Sequence, residues 1–182
     1  MFGPLATLED IKTHFALMAA AQCEEPGLSE LDHALQCAAA LKATAPEDEE
    51  LQIAGLLHDV ASGHCSESAH GEIGGRAVRE LFGQRIGELV RLHVSAKRYL
   101  VATDPQYRAN LSRVSTHTLV LQGGAMMPQE LALFESEPYW RAALTLRRAD
   151  EAAKKVGRAV PGVDAWLPLL QRVTARRMNA TD

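Results

Sequence analysis

The apolar residues of this chain recur at spacings of three and four, are mostly Ala and Leu, and rarely form alternating β-branched runs. A stripe with that period reaches a common core only on a helix, so the expected fold class is all-α, a helical bundle. With 182 residues, 47% of them hydrophobic, one domain spanning 1–182 can bury its own core. The formal net charge is −4 and bases are interleaved with acids, which gives no continuous basic field and excludes nucleic acid as an expected partner. Cys23, Cys37 and Cys65 are odd in number and lack C-x-x-C spacing, so neither a disulfide framework nor a thiolate metal site is expected. Charges interrupt every apolar stretch before membrane-spanning length, and the start MFGPLATLEDIK lacks a basic-then-apolar pattern. These features lead to the expectation of a cytoplasmic protein with no membrane partner, its oligomeric state left open.

Punctuation along the chain divides the stripe into helices. Thr7 with Asp10 reads as a capping box opening a helix to about residue 22, where EEPG intervenes, and Ser29 with Asp32 opens a second. Pro46 and the acids at 47–50 start a third, expected to run to about Ala61. A fourth is expected over about 68–82, ending at Gly83, followed by a stripe through Ile86, Leu89, Val90, His93, Val94 and Lys97. Short helices are expected near 112–121 and after Pro128. Pro138 starts a long one through Arg147, Asp150 and Lys154, and Trp166, Leu169, Leu170 and Val173 mark the last.

Chemistry-bearing residues fall on these helices in an order that singles them out. His58-Asp59 ends the apolar run IAGLLHDV, where an unpaired carboxylate would be costly to bury. Alone, the pair reads first as a capping Asp beside a hydrogen-bonded imidazole. His33, His70, His93 and Asp150, however, each lie on a different helix with an inward apolar side, the way bundle cores build metal sites. Four imidazoles and two carboxylates suit two ions of the iron or manganese type, with Asp59 bridging. Lys97 lies four residues after His93 and Arg147 three before Asp150, so both cations share faces with candidate ligands and can meet an anion.

The order His33, His58-Asp59, His70, His93, Asp150 resembles the HD-domain superfamily in its six-ligand binuclear form. The strings LDHALQCA, HGEIGG, HVSAKRYL, LQGGAM and RRAD are similar to those of the HD-domain mixed-valence di-iron oxygenases that cleave the carbon–phosphorus bond of 1-hydroxyphosphonates. That resemblance implies two iron ions, Fe(II)/Fe(III), with O2 as co-substrate and a small organophosphonate as partner, giving phosphate and a carboxylic acid. It implies that His33, His58 and Asp150 hold one iron, that His70 and His93 hold the other, and that Asp59 bridges. It also gives Lys97 and Arg147 to the phosphonate, Arg147 as a two-pronged clamp, with Ser115 as a further contact and Gln122 as another candidate.

The chain departs from the pattern in two places. Members acting on aminated substrates carry a tyrosine and a glutamate before the first histidine; here Cys23 and Pro26 occupy those positions, which favours a smaller or differently decorated substrate such as hydroxymethylphosphonate over the 2-amino compound, while a remodelled loop could also serve a bulkier cation. Glu24 and Glu25 read first as solvated acids near a turn and reach an ammonium only from a shifted loop. Relatives also carry a histidine where this chain has Ser62, and His64, two residues on, is a candidate to orient a ligand or move a proton. His14 and His117 are expected to be structural or exposed. Two other functions compete: an HD phosphohydrolase acting on a phosphate monoester or nucleotide through metal-activated water, and a non-catalytic metal-binding module.

Overall fold

The computed structural model describes residues 2–23 and 25–179, and every named element among them is helical. The helices are α1 (Leu8–Ala20), α2 (Glu30–Thr44), α3 (Glu49–Leu57), α4 (His70–Phe82), α5 (Gln84–Thr103), α6 (Pro105–Ala109), α7 (Arg113–Leu121), α8 (Pro128–Glu135), α9 (Trp140–Ala152) and α10 (Val163–Asn179). The all-α expectation holds, and no helix among the described residues is long and apolar enough to cross a membrane.

The expected caps form. Thr7 Oγ1 accepts from the Asp10 amide at 3.1 Å while the Asp10 carboxylate accepts from the Thr7 amide at 2.9 Å, and Ser29 Oγ accepts from the Asp32 amide at 3.0 Å. The third helix is capped by Asp48 rather than opened at Pro46, with Asp48 Oδ1 accepting from Leu51 N at 3.1 Å. It also stops at Leu57 instead of continuing to Ala61. The His58 ring is the reason: its Nδ1–H donates to Gly55 O at 2.8 Å, taking the carbonyl that the Asp59 amide would use to extend the helix. Tighter three-residue bonds follow, Val60 N to Leu57 O and Ser62 N to Asp59 O. The short α6 was not expected from the sequence, although Asp104 caps it and Pro105 occupies its first position.

α3 lies at the centre, with Ile53, Ala54, Leu56 and Leu57 all fully buried. α2, α5, α9 and α10 pack around it, and α4 runs along α5. The α4–α5 reversal turns on Gly83 at φ +93°, a conformation that favours glycine. The two helices then approach backbone to backbone: a Cβ added at Gly75 would lie 2.5 Å from Gly87 O, and one at Gly71 2.9 Å from Arg91 O. The glycines of HGEIGG are therefore what lets His70, the first residue of α4, reach His93 in the middle of α5.

Candidate metal centre and its anion pocket

Six side chains from five segments meet at the core's edge: His33 on α2, His58 and Asp59 just past α3, His70 on α4, His93 on α5 and Asp150 on α9. All but Asp59 are buried. Their spacing divides them into two lobes. In one, His33 Nε2 lies 3.1 Å from His58 Nε2, 3.5 Å from Asp59 Oδ2 and 3.2 Å from Asp150 Oδ1, and His58 Nε2 lies 3.2 Å from Asp59 Oδ2. In the other, His70 Nε2 and His93 Nε2 are 2.9 Å apart, and each is 3.3 Å from Asp59 Oδ1. One oxygen of Asp59 faces each lobe.

The imidazoles are oriented from behind. His58, His70 and His93 donate through Nδ1–H to the carbonyls of Gly55, Glu67 and Val90 at 2.8, 2.7 and 2.7 Å, and His33 Nδ1 faces Ala153 O at 3.4 Å. A carbonyl only accepts, so each Nδ1 carries the hydrogen and each Nε2 presents a lone pair toward the lobe. Two such lone pairs 3 Å apart repel unless a cation lies between them, and ligand atoms about 2.1 Å from a shared ion stand about 3.0 Å apart when adjacent around it. The donor set fits two cations sharing Asp59.

The electrostatics agree. Burial alone would drive the Asp59 carboxyl up, but the His58, His33 and His70 rings hold it well below the usual carboxylate range. Asp150 is held low against burial by Arg147, Lys154 and His58. Burial also opposes the charged forms of His33, His58 and His70, yet Asp59 and Asp150 raise the first two and Asp59 and Glu67 raise the third. His93, where burial wins, falls to about 4. A cluster that pulls protons onto its imidazoles has a standing demand for positive charge, which metal ions meet.

The lobes border a cavity of about 50 Å³ whose lining also brings in three cations, Lys97, Arg147 and Lys154, with Thr118 and Gln122. Lys97 is 3% exposed and its Nζ donates to Thr118 Oγ1 at 2.5 Å. Burial, then the neighbouring charges of Arg147 and Lys154, lower its pKa to about 7. Arg147 is more committed than the sequence implied. Its Nε–H donates to Tyr107 Oη, one Nη1 hydrogen to Asp150, and the Nη2 hydrogens to Ser115 Oγ and Glu151, which leaves a single Nη1 hydrogen for a ligand. The expected two-pronged clamp is therefore not available: Arg147 chiefly holds Asp150 in place.

Ser115 does not line the cavity, because its hydroxyl donates to Glu151 Oε2 at 2.6 Å and accepts from Lys154 at 2.9 Å; Thr118, one turn further, takes the wall position. His64 also turns away. Its ring stacks on Phe2 at 4.9 Å and borders a neighbouring cavity with His14, which is buried. Cys23 lines the metal cavity, whereas Pro26 and Glu25 line a separate one with Arg113 and His117. Glu24 lies outside the described residues.

Two contributors were not singled out from sequence, and a third was given little weight. Lys154 lies 3.4 Å from Asp150 Oδ1, one helical turn on, a spacing that could have suggested it. Glu30, one turn before His33, lines the cavity mouth, and burial and Asp59 raise its carboxyl to about 7. Gln122 was only a weak candidate, yet its Oε1 is buried with no partner while its Nε2 faces Glu67 O at 3.5 Å.

The chain matches the HD domain family over residues 16–132, which takes in every candidate ligand but Asp150. This chain belongs to the HD-domain family. Among its relatives is a glycine-betaine-forming 1-hydroxy-2-(trimethylamino)ethylphosphonate dioxygenase of Leisingera caerulea, 36% identical over 146 residues, 74% of each chain. A hydroxymethylphosphonate dioxygenase of Gimesia maris is 35% identical over 155 residues, 78% of this chain and 76% of that one. An uncharacterised protein of Acanthamoeba polyphaga mimivirus is 30% identical over 165 residues, 83% of this chain and 74% of its own. The HD-domain chain is thus an enzyme of the dioxygenase kind, with metal-binding His and Asp clusters at its centre.

Proposed function

We propose that this HD-domain enzyme is a di-iron dioxygenase that cleaves the carbon–phosphorus bond of a small 1-hydroxyphosphonate, releasing phosphate and a carboxylic acid. The observation that carries this reading is the junction of two His/Asp lobes, sharing Asp59, with a buried cationic pocket built for an oxyanion. A bound Fe(II)/Fe(III) pair supplies electron transfer to dioxygen, which redox-silent ions cannot. His33, His58 and Asp150 would hold one iron, His70 and His93 the other, and Asp59 both.

The protein's own groups position the substrate. Lys97, fixed by Thr118 and with two Nζ hydrogens left, is the principal phosphonate donor, joined by the spare Nη1 hydrogen of Arg147. Tyr107, Glu151 and Ser115 immobilise Arg147. Gln122 Oε1 is buried without a donor, and the substrate hydroxyl is a group that can supply one. Glu30, its carboxyl near 7, holds a proton at the cavity mouth. The small cavity and the Cys23 and Pro26 positions support hydroxymethylphosphonate, or a substrate of similar size, over an aminated one. Iron-loaded enzyme should consume dioxygen and release phosphate from hydroxymethylphosphonate. Oxygen-independent phosphate release from a monoester with a redox-silent metal would instead support the phosphohydrolase reading.

The buried lysine predicts a pH signature. Below about 7 Lys97 is protonated and attracts the anion; above it the charge is lost, so affinity falls as pH rises. Hydroxymethanesulfonate, whose own charge is constant in this range, isolates the effect in an anaerobic titration. The wild type should weaken above pH 7, Lys97→Arg should keep only the smaller fall that ionisation of Glu30 at the cavity mouth contributes, and Lys97→Ala should lose about 10–100-fold in kcat/KM on the phosphonate, the value of a charge-assisted hydrogen bond.

A further inference from the structure

A second cavity, of about 250 Å³, meets the metal centre from another side. Its walls are Leu17, Met18 and Ala21 of the α1 end and Val60 of the turn after α3. The rings of His14 and His64 complete them, packed against Phe2 at 5.3 and 4.9 Å. It shares three residues with the anion pocket, namely Glu30, Asp59 and Ser62, so the two cavities adjoin at Asp59, with Ser62 Oγ donating to Glu30 Oε1 at 3.4 Å along their boundary. At its outer rim Leu17 and Ala21 are exposed.

The two cavities differ in character. The anion pocket has room for only a few water-sized groups and is ringed by Lys97, Arg147, Lys154, Glu30 and Glu67, so a bound phosphonate fills it and closes that approach. A second, apolar reactant then needs its own path, and apolar walls favour a small non-polar gas over water or an ion.

From this we infer that the cavity between the end of α1 and the Val60 turn is the route by which dioxygen reaches the centre, entering past Leu17 and Ala21 and passing Glu30 and Ser62 to Asp59. The inference rests on the oxygenase reading above. It predicts that the two substrates use separate doors, so one KM can be changed without the other.

Ala21 is exposed and its side chain makes no hydrogen bond, so Ala21→Phe should obstruct the rim without disturbing the core. Leu17→Trp, at the same rim, should act alike. In crystals pressurised with xenon, the wild type should show xenon between Leu17, Met18 and Val60, and Ala21→Phe should not. In steady-state assays both variants should raise KM for dioxygen several-fold, leaving KM for hydroxymethylphosphonate and kcat at saturating dioxygen unchanged. An absent xenon site, or an unaltered KM for dioxygen in both variants, overturns the route. A wild type that consumes no dioxygen with any 1-hydroxyphosphonate removes the oxygenase reading and the route with it, even where xenon binds.

Discussion

Asp59→Asn should abolish turnover while leaving the fold intact. Among the described residues Asp59 alone has oxygens that face both lobes, at 3.2–3.5 Å from the Nε2 atoms of His33 and His58 and 3.3 Å from those of His70 and His93. An asparagine keeps the shape but presents an NH2 group to one lobe, where it donates to the imidazole lone pairs instead of ligating. Metal content should fall from two ions to one or none per chain. Charge stabilisation by a metal centre amounts to several kcal/mol, so the loss in kcat should be about a thousandfold or more. Atomic emission and circular dichroism separate metal loss from misfolding: an unchanged helical spectrum with halved metal is the expected result, and full metal content with full activity would show that Asp59 does not bridge.

Gly75→Ala should act on the same centre from a distance. The added methyl would lie 2.5 Å from Gly87 O and 3.0 Å from Arg91 Cβ, and the first of these is backbone that cannot rotate away. Relief requires α4 and α5 to separate, which costs about 1–3 kcal/mol by overpacking and lengthens the 2.9 Å approach of His70 to His93. The variant should melt several degrees lower and lose the metal of the His70/His93 lobe first. Gly74→Ala is the control, since its methyl would meet only side chains at 3.3 Å or beyond. A Gly75→Ala protein with wild-type melting temperature and metal content would remove the close crossing as the device that joins the two histidines.

The helical pattern and the convergence of the six His and Asp side chains were legible because their signals are local and periodic. Apolar stripes fix which side of α2, α5 and α9 faces inward, and His33, His93 and Asp150 lie on those sides. What escaped the sequence depended on which partners arrive from elsewhere. Arg147 reads as an available fork until Tyr107 from α6, Ser115 from α7 and Glu151 occupy it. Ser115 and Thr118 are both hydroxyl residues of α7, and only the rotation of that helix decides which one meets the cavity. The early end of α3 comes from one side-chain bond, His58 to Gly55 O, within a sequence that otherwise continues as helix. Glu30 looks like an ordinary surface residue in a string of letters, and only its place at the cavity mouth beside Asp59 marks it, while Gln122, a weak candidate from sequence, is marked by a buried oxygen without a partner.

The central claim is a pair of cations held through one shared carboxylate, and anaerobic purification followed by metal quantification and electron paramagnetic resonance tests it most directly. The account predicts two irons per chain and a coupled Fe(II)/Fe(III) signal that shifts when hydroxymethylphosphonate is added. A single ion per chain, or two ions with no magnetic coupling, would contradict it.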